Sequence, residues 1–185
     1  MFNVVDQRSI QKICSRAAKY PYSFMLYNFC KKYFNIKNIV VWDCTYGRGR
    51  FYAAWRERPG LLIGSDPYIQ PWIVTPDIFV PGTVWTAKKR IKMLNVKVDI
   101  LVIDPPFGLE YNRRREYNLL LGSPELIIDE AFKAAIELGI KNIILHYNKV
   151  VEKEHFRIID GFIFKAYCRY LNANPKSYTI LYSQY

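Results

Sequence analysis

Three short apolar runs in this 185-residue chain each end in an aspartate, and that repetition limits the folds open to it. Residues 98–103 lead to Asp104, residues 38–42 to Asp43, and residues 61–65 to Asp66. Short continuous runs rich in Val, Ile and Leu mark parallel strands buried on both faces. An acid closing such a strand emerges at its C-terminal end, the edge where open α/β sheets hold their ligands. A single strand-end aspartate is an ordinary turn former. Three in succession point to a shared site.

Helical patterns alternate with these runs. The periodicity predicts helices over residues 9–19 and 22–34, with Phe24, Leu26, Tyr27, Cys30 and Phe34 on a broad apolar face. Residues 49–58 and 87–94 are expected to fill the first crossovers, the second after a short run at Thr83, Val84 and Trp85. Ser123, Pro124 and Glu125 read as a capped helix start, and Gly139 stops it. Residues 142–147 read as a fifth strand and 152–159 as a further helix. Five strand–helix alternations predict a parallel sheet. Residues 164–171 and 177–183 then alternate as β-strands around a turn-rich linker, 172–175, which predicts a terminal antiparallel hairpin. No repeat or interdomain linker interrupts residues 1–185, so one domain is expected.

The strand ending at Asp104 continues as Pro105, Pro106 and Phe107. The two prolines fix φ and remove two backbone donors, leaving stiff carbonyls. An acid, a rigid carbonyl and an aromatic plate suit a planar ring that carries an amino group. After Asp43 come Cys44, Thr45, Tyr46, Gly47, Arg48 and Gly49, and the paired glycines allow a tight turn close to a ligand. Tyr52 occupies the third small position of a G-x-G-x-x-G fingerprint, which argues against a dinucleotide site. Asp66 follows Asp43 by 66 − 43 = 23 residues, near the ~20 expected for an acid gripping ribose hydroxyls.

These segments resemble the S-adenosylmethionine-dependent amino-methyltransferases of nucleic acids, above all the DNA N6-adenine and N4-cytosine enzymes. Their cofactor loop usually reads D-P-F-x-G-x-G and their catalytic motif D/N/S-P-P-Y/F/W. The resemblance spans residues 19–148 and implies a Rossmann-like, seven-stranded class I methyltransferase fold, mostly parallel, with the hairpin at its C-terminal end. It implies S-adenosyl-L-methionine as cofactor, held by Tyr22, Asp43, Cys44, Thr45, Gly47, Gly49 and Asp66. It implies catalysis by Asp104, Pro105, Pro106 and Phe107, with the residues from Gly108 to Tyr111 and the basic run Arg113, Arg114 and Arg115 resembling adenine methylases. Cys44 and Thr45 stand where the family has Pro-Phe, and Thr86 stands where an acid often meets the cofactor's adenine. Asp at the catalytic position favours adenine N6 in DNA. RNA guanine-N2 and DNA cytosine-N4 methylation are the alternatives, and a noncatalytic nucleic-acid-binding module is a third.

Charge agrees with a polyanionic partner. Lys and Arg number 27 against 16 Asp and Glu, a net charge of +11, and such a surplus gives salt-dependent binding to phosphates. Arg113–Arg115 are the expected phosphate contacts, and Lys88, Lys89 and Arg90 form a second candidate patch. DNA is favoured over RNA. A missing target-recognition domain makes a homodimer or a specificity-giving partner an open expectation that no motif carries. No apolar stretch nears the ~20 residues of a membrane span, and the first 19 residues lack the apolar core of a signal peptide, so an intracellular, soluble (cytoplasmic) protein is expected. The four cysteines form no C-x-x-C pair and lie far from both histidines, so no metal is expected. Cys44 reads as a small residue packed under its loop.

Overall fold

The computed structural model describes residues 3–5, 19–105, 123–147, 161–170 and 177–184. In chain order the regular elements are β1 (Asn3–Val5), α1 (Pro21–Tyr33), β2 (Val40–Asp43), β3 (Leu61–Asp66), β4 (Ile78–Pro81) and α2 (Val84–Met93). β5 (Ile100–Ile103), α3 (Pro124–Leu138), β6 (Asn142–Tyr147), β7 (Phe162–Tyr170) and β8 (Ser177–Gln184) follow. All eight strands lie in one sheet, ordered β1-β7-β8-β6-β5-β2-β3-β4. β8 runs antiparallel to β6 and β7, and the other pairs are parallel.

Alternation along each central strand divides the core in two. Val41, Leu62, Ile100, Val102 and Ile144 face α1, whose Phe24, Tyr27 and Cys30 meet them. Trp42, Ile63, Leu101, Ile103 and Ile143 face the layer of α2 and α3, where Ala87, Ile91, Ala131 and Phe132 close the core. Burial on both faces explains why these strands read as unbroken apolar runs. The β2–β3 pair is also pinned by the Trp42 indole Nε1, which donates to Ser65 Oγ at 2.9 Å.

The expected helix at 123–138 is present, its Ser123 Oγ accepting from Leu126 N and its Gly139 adopting a left-handed φ of 65°. The terminal hairpin and the fifth strand are also present. Four expectations differ from the structure. An eighth strand, β1, adds to the anticipated seven by pairing with β7 and covering its edge. Residues 49–58 hold only a 3-10 turn (Arg50–Tyr52), because Ser23 Oγ takes the Ala54 N–H at 2.7 Å and the Tyr52 and Trp55 rings turn into the core beside Tyr27. The run at Thr83–Trp85 is not a strand: Ile78–Pro81 is, and Thr83 caps α2, which begins three residues earlier than expected. The reason is local, since Pro81 and Gly82 break the strand and the Thr83 hydroxyl accepts from Thr86 N. The 38–42 run yields a strand only from Val40, after a 3-10 turn at Ile36–Asn38. The predicted helices at 9–19 and 152–159 fall outside the described residues, save for Lys19. No helix among the described residues is long and apolar enough to cross a membrane.

Candidate active site at the strand tips

The chain passes from β2 to β3 and β4 on one side of the sheet, then crosses to β5 and β6 on the other. The sheet therefore has its topological switch point between β2 and β5, and the crevice beyond their C-terminal ends is where this architecture binds ligands. Asp43 and Asp104 emerge there. The tips are closely joined: Cys44 N donates to Val102 O at 3.1 Å, and Asp104 N donates to Thr45 Oγ1 at 2.6 Å.

Asp43 is almost wholly buried, 1% exposed. Its Oδ1 accepts from Thr45 N at 3.0 Å and from the Thr45 hydroxyl at 3.3 Å. Burial pushes its carboxyl up to about 7, the Thr45 hydrogen bonds opposing and the Asp66 charge adding to the rise. The Tyr52 ring lies nearby, stacked on Tyr46 at 5.8 Å, its hydroxyl turned toward Asp43 without a well-formed hydrogen bond. Asp104 keeps part of its surface in solvent, yet burial lifts its carboxyl to about 8, with the Asp43 charge the second cause. Two acids from adjacent strands thus titrate near neutrality because each is withdrawn from water beside like charge.

The glycine loop is tied down on three sides. Asp66 Oδ2 accepts from Gly47 N at 3.1 Å, and Oδ1 accepts from Tyr68 N at 2.9 Å. Tyr46 lies flat over Gly64, where a Cβ would come within 2.6 Å of its ring, and its hydroxyl donates to Val74 O at 2.7 Å. Arg48 O accepts from Ile73 N at 2.8 Å, and Arg48 Nε donates to Pro71 O. The glycines differ. Gly47 (φ 51°) has open space on its Cβ side, whereas Gly49 (φ 71°) faces Val74 O and the Tyr46 hydroxyl at 2.6 and 2.7 Å. The open side of the loop is the Gly47 side.

The structure therefore gathers Asp43, Thr45, Gly47, Asp66 and Asp104 at one edge. Cys44 turns away: its thiol donates to Val102 O at 3.4 Å and burial holds it protonated, so only its backbone borders the loop. Gly49 serves the turn rather than an open face. Tyr22, in the first turn of α1, sits edge-on to His146 of β6 at 6.2 Å, with Phe51 at 6.4 Å from the same imidazole. Pro105 is buried, while Pro106, Phe107, Arg113, Arg114 and Arg115 lie outside the described residues. In the second basic patch Lys88 is not a free cation, because it is buried and paired with Glu137 at 2.6 Å; Lys89 and Arg90 remain exposed.

Two residues of this neighbourhood escaped sequence reasoning. His146 is buried, bonded through Nδ1 to Thr179 Oγ1 at 2.9 Å, and burial lowers it to about 4, so it is neutral at ordinary pH. A polar residue inside the apolar run 142–147 was its only signal. Tyr46 was announced by Gly64, since a glycine in a strand interior marks the close approach of another group.

No family model matches the chain, and no curated protein matches it in sequence. Solved structures match in fold. Magnesium protoporphyrin IX methyltransferase (ChlM) from Synechocystis, with bound SAM, is 13% identical with a TM-score of 0.59, covering 91% of this chain and 81% of its own. An rRNA methylase from Streptococcus thermophilus is 10% identical with a TM-score of 0.54, covering 86% of this chain and 94% of its own. The hMettl16 catalytic domain in complex with MAT2A 3'UTR hairpin 6 is 12% identical with a TM-score of 0.52, covering 89% and 71%. Likeness at such identities speaks for architecture, and the architecture is that of the class I methyltransferases, a mostly parallel α/β sheet with a C-terminal antiparallel hairpin.

Proposed function

We propose that this chain, as one domain over residues 1–185, is an S-adenosylmethionine-dependent N-methyltransferase acting on the exocyclic amino group of a nucleic-acid base. The observation that carries the reading is the convergence of Asp43, Gly47, Asp66 and Asp104 at the switch point of the sheet, with Asp104 N bonded to Thr45 of the glycine loop. Several of the structural neighbours were solved with SAM or SAH bound.

The residues present fit this cofactor. Open space beside Gly47 accepts a bulky group against the backbone. Asp66, fixed by two backbone donors at the end of β3, stands where an acid would grip ribose hydroxyls. Asp43 gives a buried negative counterpart to a cation. When bound, S-adenosylmethionine supplies an electrophilic methyl on a sulfonium. The chain's own task is then orientation and charge placement.

An aromatic amine is a weak nucleophile because its lone pair is delocalised into the ring. Asp104 and the Pro105 carbonyl would accept hydrogen bonds from its two N–H groups, turning the nitrogen toward a pyramidal shape with the lone pair aimed at the methyl. Transfer would make the N–C bond as the S–CH3 bond breaks, its electron pair staying on the departing thioether, and Asp104 would take one N–H proton from the cationic nitrogen that results. Asp104 need not remove that proton beforehand, since the product cation is far more acidic than the amine. Phe107 stacks on the base, which leaves its helix to enter.

Adenine N6 in DNA is the preferred target, argued from aspartate at position 104. RNA is the second reading, favoured by the rRNA methylase and by the hairpin-bound neighbour. Incubating the protein with labelled S-adenosylmethionine and mixed DNA and RNA, then digesting to nucleosides, tests both. Asp104→Ala is expected to abolish transfer while retaining most cofactor affinity; wild-type turnover by this variant removes Asp104 from the mechanism.

A further inference from the structure

We propose that the Thr45 hydroxyl is a positioning group that locks the catalytic strand tip to the cofactor loop, so that Asp43 and Asp104 are held as one unit. Thr45 stands where the resembled enzymes have a phenylalanine, which could make no such link. Its hydroxyl spends its hydrogen on Asp43 Oδ1 at 3.3 Å and accepts the Asp104 N–H at 2.6 Å. The direction of both bonds is fixed by chemistry. The Asp104 amide can only donate, so the hydroxyl oxygen must accept there, and its one proton is left for the Asp43 carboxyl.

The link spans the switch point. It runs from the acid beside the glycine loop, through Thr45, to the backbone of the residue that faces the methyl acceptor, 59 positions beyond Thr45 in sequence. Within that gap the sheet itself supplies only the ladder bonds of β2 and β5, which end at Asp43 and Val102. Beyond the ladder, Cys44 N and the Cys44 thiol both donate to Val102 O, and Asp104 N donates to Thr45 Oγ1; the last of these reaches past Val102 to the catalytic acid. Its hydrogen and one lone pair are thus given to protein partners, and through them Thr45 acts on the reaction by way of Asp104.

The inference rests on the methyl-transfer reading for its consequence, but its physical core is testable without activity. Three forms of the full chain are compared: wild type, Thr45→Val and Thr45→Ser. Valine keeps the shape and the backbone bond from Thr45 N to Asp43, and deletes both hydroxyl bonds. Amide exchange at Asp104, read by nuclear magnetic resonance, is expected to quicken about tenfold or more in the valine form. Methyl transfer is expected to fall roughly 10- to 100-fold. S-adenosylmethionine affinity, by calorimetry, stays within about threefold because the loop contacts remain. Serine restores both exchange protection and transfer.

Unchanged Asp104 exchange in the valine form overturns the lock. So does a loss of affinity and transfer in equal proportion, which marks Thr45 as a cofactor contact. If valine does not fold, Thr45→Ala carries the same comparison. A wild-type protein that transfers no methyl group to any nucleic acid refutes the enzymatic reading, while the exchange comparison still decides the lock.

Discussion

Cofactor binding should depend on pH in a way that separates S-adenosylmethionine from S-adenosylhomocysteine, because only the first carries a sulfonium charge. In the free protein Asp43 titrates at about 7 and Asp104 at about 8, both raised chiefly by burial. A cation placed against them favours the ionised forms, so binding releases protons and affinity rises with pH. Asp43 alone falls from roughly nine-tenths ionised at pH 8 to one-tenth at pH 6, a loss of about tenfold or ~1.4 kcal/mol for the charged ligand. Participation of Asp104 enlarges that loss. The neutral ligand shares every contact except the charge, so its affinity should change little from this source. Calorimetry at pH 6, 7 and 8, in buffers of different ionisation enthalpy, gives both the affinity ratio and the protons released. A ratio that stays flat from pH 6 to pH 8 refutes the placement of the sulfonium beside these acids.

Three further outcomes follow from the same geometry. Gly49→Ala forces a Cβ to 2.6 Å from Val74 O at a left-handed φ; thermal denaturation should show a loss of more than about 2 kcal/mol. Gly47→Ala, with open space, should cost only about 1 kcal/mol of stability while weakening cofactor binding more strongly. Asp104→Asn should stabilise the ligand-free protein at pH 8. The folded carboxyl binds protons up to about 8 whereas its ordinary value is 3.8, so wild-type stability declines as pH rises between them; the advantage of asparagine, on the order of 1 kcal/mol or more, shrinks toward pH 4. Replacing Arg113, Arg114 and Arg115 together by glutamine should flatten the salt dependence of nucleic-acid binding by up to about three contacts' worth of slope, and an unchanged slope removes them from the interface.

The strands that carry the site were legible because burial on both faces leaves no polar alternation to confuse the pattern: residues 61–66, 100–103 and 142–147 announce themselves. The capped helix after Ser123 was equally plain, since its start and stop are local chemistry. What failed was decided at longer range. Residues 49–58 have helical composition, yet contacts with Ser23 and Tyr27 hold them as turns. The strand at Ile78–Pro81 was masked by Pro76 before it and Pro81 at its end, and β1 is only three residues whose partner lies at the far end of the chain. Among site residues, the acids and glycines stood out by position. The uses of Thr45, Tyr46 and His146 did not, because each depends on a neighbour from another strand.

Tyr46 threads between Gly64 and the Val74 carbonyl, so a single side chain fastens the glycine turn to the outer segment between β3 and β4. That segment also carries the exposed side chains of Ile69 and Trp72. Whatever presses on this rim is felt at the turn through the tyrosine. The outer segment thus offers a handle by which changes in its own length or stiffness can reset the geometry of the glycine turn.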